Sequence, residues 1–375
     1  MNSVGRASPK ALLAGVMAGA LLCSTGALGG GVAAAESDDN GDAGQTLFVL
    51  GGARGPGIPW DDYVSRAGRG YHPNAQRVVV DYPAGMIYGR LPEEVFPGSD
   101  LATASVGESV AAGTDNLDAA IRSRKGPAVA VGLSEGTMVL DAEQARLAND
   151  PTAPPPDQLS FTVISDPARG VLTEFPPGTY LPIVDYTVQP QVESQYHTNV
   201  VIAEYDAIAD FPDRPWNLIS LANAVIAGAT VHTSVAFGSP ADVPPENITT
   251  TTNSRGGTTT TYLVPTKQLP LTQPLRDAGV SSEFTDEIDR ALWPEVRAGY
   301  ARYDGRVAQA SSQPPAAPVN LEAPVSLEAG LDPTARANLD GIVHPTNPVN
   351  INPVLDPTSQ ANLDGFLKQA RGLFP

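Results

Sequence analysis

The segment Ala128-Val129-Ala130-Val131-Gly132-Leu133-Ser134-Glu135-Gly136 limits the fold more than any other part of this chain. A continuous apolar run enters a G-x-S-x-G turn and leaves it, with no spacer, in a helix-prone stretch that reaches residue 148. Glycines on both sides of such a turn let the backbone pass sharply from strand to helix and lift the serine hydroxyl out of the sheet. A strand that is apolar at every position has no face to offer water. It must be covered on both sides, which commits the chain to layered α/β structure with a largely parallel sheet. Ser134 is the candidate nucleophile.

Further apolar runs supply the rest of that sheet. Thr46-Leu47-Phe48-Val49-Leu50 stops at Gly51-Gly52, and Arg77-Val78-Val79-Val80 stops before Pro83. A helical stretch over residues 102–123 precedes the Ser134 strand, and residues 159–164 and 198–205 read as two more strands. From Pro240 the character changes. Two Thr-rich, β-branched runs, residues 248–252 and 258–264, flank Asn253-Ser254-Arg255-Gly256-Gly257, the pattern of a β-hairpin. The hairpin serves either as a lid over the site or as the end of the sheet. A helix between Phe284 and Arg302 closes the domain, assigned to residues 46–305.

A serine hydroxyl needs a base to take its proton and an acid to hold that base in one tautomer, and in this architecture the chain order is Ser, acid, His. His232 is the best-placed base, downstream of the parallel strands and after a helical segment over residues 218–227. His72 precedes the nucleophile, His197 lies at the start of its strand, and His344 is far downstream. Asp206, at the tip of the last parallel strand, is the first choice of acid, ahead of Asp210 and Asp166. The backbone N–H of Glu135, with one from the loop at Gly52 and Ala53, would form the oxyanion hole. Arg54 in the same loop is a candidate for binding a polar head group.

Composition narrows the function classes. The formal charge is -18, which repels nucleic acid and anionic membrane surfaces. The first 35 residues carry basic Arg6 and Lys10, an apolar run over residues 11–28, and Ala33-Ala34-Ala35 before Glu36. This is the layout of an export signal or an N-terminal anchor, followed by a polar linker over residues 36–45. The expectation is an exported protein of the cell envelope or medium, cleaved after Ala35 or, as the alternative, held to the membrane by that segment. Cys23 is the single cysteine and lies inside the apolar run, so a processed chain has no disulfide and no thiolate ligand. The four histidines lack the paired spacing of a zinc site, and no metal or cofactor is expected. Residues 306–375 form a Pro-rich tail with a duplicated segment, LDPTARANLDG at 331–341 and LDPTSQANLDG at 355–365.

With these residues placed, the chain resembles the PE-PPE C-terminal domain family of mycobacterial exported serine hydrolases, itself similar to cutinase-like α/β-hydrolases. The resemblance covers residues 46–303. It rests on VLGGARGPG at 49–57, VVVDYPA at 78–84, AVAVGLSEGTMV at 128–139, YDAIADFPDRPWNLISLANAVIAGATVH at 205–232, TTTTYLVPTKQLPL at 258–271 and AGYAR at 298–302. The helical module that usually precedes the domain is replaced by the signal-like segment, and the tail lies outside the pattern. The resemblance implies esterase or lipase chemistry. Relatives without the helical module look like acyltransferases that move fatty acyl groups between trehalose glycolipids, so an acylated glycolipid or another lipid ester is the implied substrate. The competing readings are a secreted lipase or cutinase-type hydrolase and a non-catalytic envelope-binding protein.

Overall fold

The computed structural model describes residues 44–54, 60–85, 104–182 and 184–304. The signal-like segment, most of the linker, His344 and the duplicated tail lie outside the described residues. Contacts divide the chain into two compact units, residues 1–211 with 225–266 and residues 212–224 with 267–375.

The strands are β1 (Thr46–Leu50), β2 (Gln76–Val79), β3 (Ala128–Leu133), β4 (Leu159–Ile164), β5 (Tyr180–Leu181), β6 (Tyr186–Thr187), β7 (His197–Ala203), β8 (Ile248–Thr252) and β9 (Thr258–Val264). The first unit is built on a seven-stranded sheet in the order β2-β1-β3-β4-β7-β9-β8. A separate two-stranded ribbon pairs β5 with β6. All pairings in the large sheet are parallel except β8 with β9. The fold is thus α/β, of the α/β-hydrolase kind.

The helices are α1 (Trp60–Arg66), α2 (Val106–Ser123), α3 (Glu135–Leu147), α4 (Leu218–Thr230), α5 (Gln273–Asp277) and α6 (Ser282–Arg297). A full capping box starts α2. The Ser105 hydroxyl accepts from the Glu108 N–H while the Glu108 carboxylate accepts from the Ser105 N–H. Val110, Leu117 and Ile121 fall on one buried face of this helix, at the spacing an amphipathic helix requires. Gly113 lies on the same face, where an added Cβ would stand 2.7 Å from Val139 of α3, so the two helices approach more closely than a larger residue would allow.

One open sequence reading is settled and another changes in detail. The hairpin finishes the sheet, because β9 pairs in parallel with β7 and leaves β8 as the edge. The apolar run at residues 77–80 forms the opposite edge, where Val78 and Val79 are 39% and 47% exposed. An apolar run reads alike whether it is central or lateral, so the sequence pattern does not distinguish these positions.

One buried carboxyl in this unit makes stability depend on pH. Glu143 on α3 has no exposed surface, and burial, reinforced by the Asp118 carboxylate, raises its pKa from 4.5 to about 8. The folded pKa lies above the unfolded one. The contribution of Glu143 to stability is therefore full below about pH 4.5 and is lost as pH rises through about 8. Glu143→Gln keeps the shape and removes the ionisation. The melting temperature of this variant is expected to match the wild type at about pH 4 and to exceed it by several degrees at about pH 9, as thermal melts would show.

Candidate active site

In an open α/β sheet, ligands bind beyond the carboxyl ends of the strands, where the strand order reverses. Here β1 is followed on one side by β2 and on the other by β3, so the reversal lies between β1 and β3. Leu50 pairs with Gly132 in that ladder, which brings the loop after β1 alongside the turn after β3. Gly52 and Ser134 meet there. A Cβ built on Gly52 would stand 3.1 Å from Ser134 Cβ.

The turn itself explains its two glycines. A Cβ on Gly132 would lie 2.5 Å from the Gly136 carbonyl oxygen, and one on Gly136 would lie 2.6 Å from that of Gly51. Both obstacles are backbone and neither can swing aside. Ser134 takes φ 52 and ψ −119, a conformation that costs a non-glycine residue roughly 1–3 kcal/mol. The hydrogen bond from Ser134 N–H to the Ile164 carbonyl, 2.9 Å, and the start of α3 at Glu135 hold it in place.

Three of the residues picked from the sequence come together. His232 Nε2 lies 2.9 Å from Ser134 Oγ, and His232 Nδ1 lies 2.6 Å from Asp206 Oδ2. With the proton on Nδ1, the ring donates to Asp206 and accepts from the serine hydroxyl. Asp206 is fully buried, and its second oxygen, Oδ1, accepts from the Ile208 N–H at 2.9 Å. The other carboxylates are engaged elsewhere. Asp210 accepts from the Tyr205 N–H at 2.7 Å, supporting a residue that itself has φ 70. Asp166 accepts from the Ala168 N–H and the Thr137 hydroxyl, each at 2.9 Å. Among the histidines, His72 bonds to the Thr162 hydroxyl, and His197 lies between Thr258 and Asn199.

The loop that carries Gly52 and Ala53 is braced from several directions. The Tyr82 hydroxyl donates to the Gly51 carbonyl at 2.6 Å, Trp60 Nε1 donates to that of Gly52 at 2.8 Å, and the Arg54 N–H donates to that of Ala84 at 2.8 Å. The Arg54 guanidinium forms an ion pair with Asp81 and lies 3.9 Å over the Trp60 ring, so it is occupied in bracing this loop. Burial pushes the Glu135 carboxyl well above the usual carboxylate range, with the Ser109 hydroxyl opposing.

One contributor is invisible in the sequence. Ser165, buried at φ 56 directly after β4, donates its hydroxyl to the His232 carbonyl oxygen at 2.5 Å. A lone serine between a strand and an Asp-Pro pair carries no local signal for a bond spanning 67 positions.

Residues 73–301 match the PE-PPE domain family. The chain is 50% identical to diacyltrehalose acyltransferase Chp2 of Mycobacterium tuberculosis over 76% of its own length and 83% of that protein. It is 44% identical to SL1278 acyltransferase Chp1 of the same organism, over 77% of its own length and 70% of that protein. It is 30% identical to the esterase PE16, again from M. tuberculosis, over 72% of its own length and 51% of that protein.

Proposed function

The chain belongs to the PE-PPE domain family, and from that premise we propose that it is a serine-dependent acyltransferase with esterase capacity, moving fatty acyl groups between acyltrehaloses of the cell envelope. The observation that carries the reading is the hydrogen-bonded line from Ser134 through His232 to Asp206. Support for the substrate class comes from the two relatives named as acyltransferases, one of them for diacyltrehalose.

In this reading Ser134 Oγ attacks the carbonyl carbon of an acyl ester as its proton passes to His232 Nε2. Asp206 holds the ring and stabilises the imidazolium that forms. The carbonyl oxygen becomes an oxyanion, met by the backbone N–H of Glu135 and by one from Gly52 or Ala53. The C–O bond to the donor sugar then breaks, and the departing alkoxide takes the proton from His232. An acyl ester on Ser134 remains. A sugar hydroxyl of a second acyltrehalose, deprotonated by His232, attacks that ester and restores the serine. Water in the same place gives hydrolysis, the second reading, and the relative named as an esterase favours it. The signal-like first 35 residues support an exported location.

Ser165 would act as a positioning residue by fixing the backbone of His232. Ser165→Ala is expected to lower kcat about tenfold with KM little changed, because the ring would lose one constraint and not its partners.

The reading is tested by incubating the purified protein with a diacylated trehalose and following the products by mass spectrometry. More highly acylated trehalose together with deacylated trehalose, both dependent on Ser134, is the expected result. Free fatty acid alone would make the protein a hydrolase. Inert protein would overturn the substrate class.

A further inference from the structure

The second unit contains an apolar pair held outward on a rigid support. Residues 212–217 form a turn clamped to the end of α6. The Arg214 N–H donates to the Gly299 carbonyl at 3.0 Å, Arg214 Nη1 to that of Ala298 at 2.9 Å, and Asn217 Nδ2 to that of Glu295 at 2.9 Å. Asp213 accepts from the Ala301 N–H at 2.7 Å, and Arg214 pairs with Asp304 at 2.7 Å. Asn217 also caps α4, its Oδ1 accepting from the N–H groups of Ile219 and Ser220 at 3.2 and 3.1 Å. The polar groups of the turn are tied to the end of α6 and the residues that follow it. Trp216 and Leu218, on either side of Asn217, are 75% and 74% exposed.

Single exposed apolar residues are ordinary on a protein surface. Here two neighbouring large ones are held on a turn that leaves its backbone little freedom to hide them. Their surroundings are also distinctive. The neighbouring segment, residues 293–304, turns Tyr300 and Tyr303 into the interior, and Arg297 lies over the half-buried Trp293 at 5.2 Å, so Trp216 and Leu218 are the large apolar side chains this face leaves to solvent. An exposed tryptophan next to an exposed leucine can lay its apolar ring among acyl chains while the indole N–H stays at the polar boundary. Charge selects among surfaces. Within residues 212–218 and 293–304, Arg214, Arg297 and Arg302 balance Asp213, Glu295 and Asp304, so the patch is neutral in a chain of charge -18. An anionic bilayer would be repelled by the rest of the protein and gain nothing from the patch. A pair of copies joined through two side chains each would bury far less than the roughly 800 Å² per partner of a stable interface.

We propose that Trp216 and Leu218 form an interfacial anchor that seats the protein on an uncharged, acylated-sugar lipid surface. The identity of that lipid rests on the acyltrehalose reading above, because a diacylated sugar presents itself to an enzyme as an aggregate. The anchor adds partition of two apolar side chains into that aggregate, and its contribution is insensitive to salt.

The test uses the full chain carrying Ser134→Ala, so that lipid is not consumed. Vesicles of acyl-brominated phosphatidylcholine doped with trehalose diester are the probe. Tryptophan emission is expected to shift to the blue and to be quenched by the bromines, with binding unchanged by salt. Trp216→Ala with Leu218→Ala is expected to weaken co-sedimentation roughly tenfold or more, while Trp216→Phe retains it. On an active Ser134 background, the same double substitution is expected to leave hydrolysis of a soluble short-chain ester at the wild-type rate. Undiminished binding by the double variant overturns the proposal, as does binding that requires phosphatidylglycerol. A fall in sedimentation mass on substitution would overturn it by assigning the patch to a second copy. Emission from Trp216 already blue-shifted without lipid would overturn it by assigning the patch to another segment of this chain. Vesicle binding through Trp216 without acyl transfer leaves the anchor standing and sinks the acyltransferase reading, so the two fail separately.

Discussion

Ser134→Ala is expected to abolish ester hydrolysis and acyl transfer, lowering kcat on a soluble p-nitrophenyl ester by about 10⁴- to 10⁶-fold. The substitution removes one hydroxyl and leaves its surroundings in place. The hydrogen bond from position 134 to the Ile164 carbonyl is made by the backbone, and the start of α3 is likewise independent of the side chain. Alanine tolerates φ 52 about as poorly as serine, so the melting temperature should hardly move. Only the nucleophile is lost. A residual rate should survive, because the N–H groups facing the oxyanion are backbone groups. A second substitution, His232→Ala, should then add almost nothing, since a base without its nucleophile has no proton to take. A serine-directed phosphonate gives an independent measurement, with stoichiometric labelling of the wild type and none of the variant. Labelling that persists in Ser134→Ala would place the nucleophile elsewhere.

How far the site can be read from the sequence follows from where its information lies. The Ser134 turn is local, since strand, glycines and helix occupy one short stretch and each glycine is needed for a contact within or beside that stretch. The runs forming β1, β3, β4 and β7 are legible because buried parallel strands are predominantly apolar, even where, as in β7, the first residues are polar. The hairpin is legible as a hairpin, but its parallel pairing with β7 joins Thr198 to Thr259, and nothing in either strand marks the other. Helix α1 escapes notice because WDDYVSR is short and largely polar, with only Trp60 and Val64 buried. Helix α6 ends at Arg297, short of the expected Arg302, and the chain continues through Gly299 into a brief turn at Ala301–Tyr303. The site partners follow the same rule. Chain order selects His232, while choosing among Asp166, Asp206 and Asp210, each of which accepts from a backbone N–H, requires knowing which carboxylate the fold brings to His232 Nδ1.

That choice yields the second large effect. Asp206→Asn is expected to lower kcat/KM on the soluble ester by about 10⁴-fold. The Ile208 N–H donates to Asp206 Oδ1, so an asparagine there keeps its carbonyl oxygen on Ile208 and turns its NH2 toward His232 Nδ1. Nδ1 must then accept, the ring proton moves to Nε2, and Nε2 can no longer take the proton of Ser134 Oγ. The loss therefore arises from a wrong tautomer within an intact fold, and a circular dichroism melt close to that of the wild type would separate it from unfolding. Asp210→Asn and Asp166→Asn are the controls. The amide oxygen introduced at position 210 can still accept from the Tyr205 N–H, and the one at position 166 from the Ala168 N–H, so each change should cost about tenfold or less. The opposite pattern, with activity lost in Asp210→Asn and kept in Asp206→Asn, would make the bond between Asp206 and His232 a structural one and Asp210 the orienting acid.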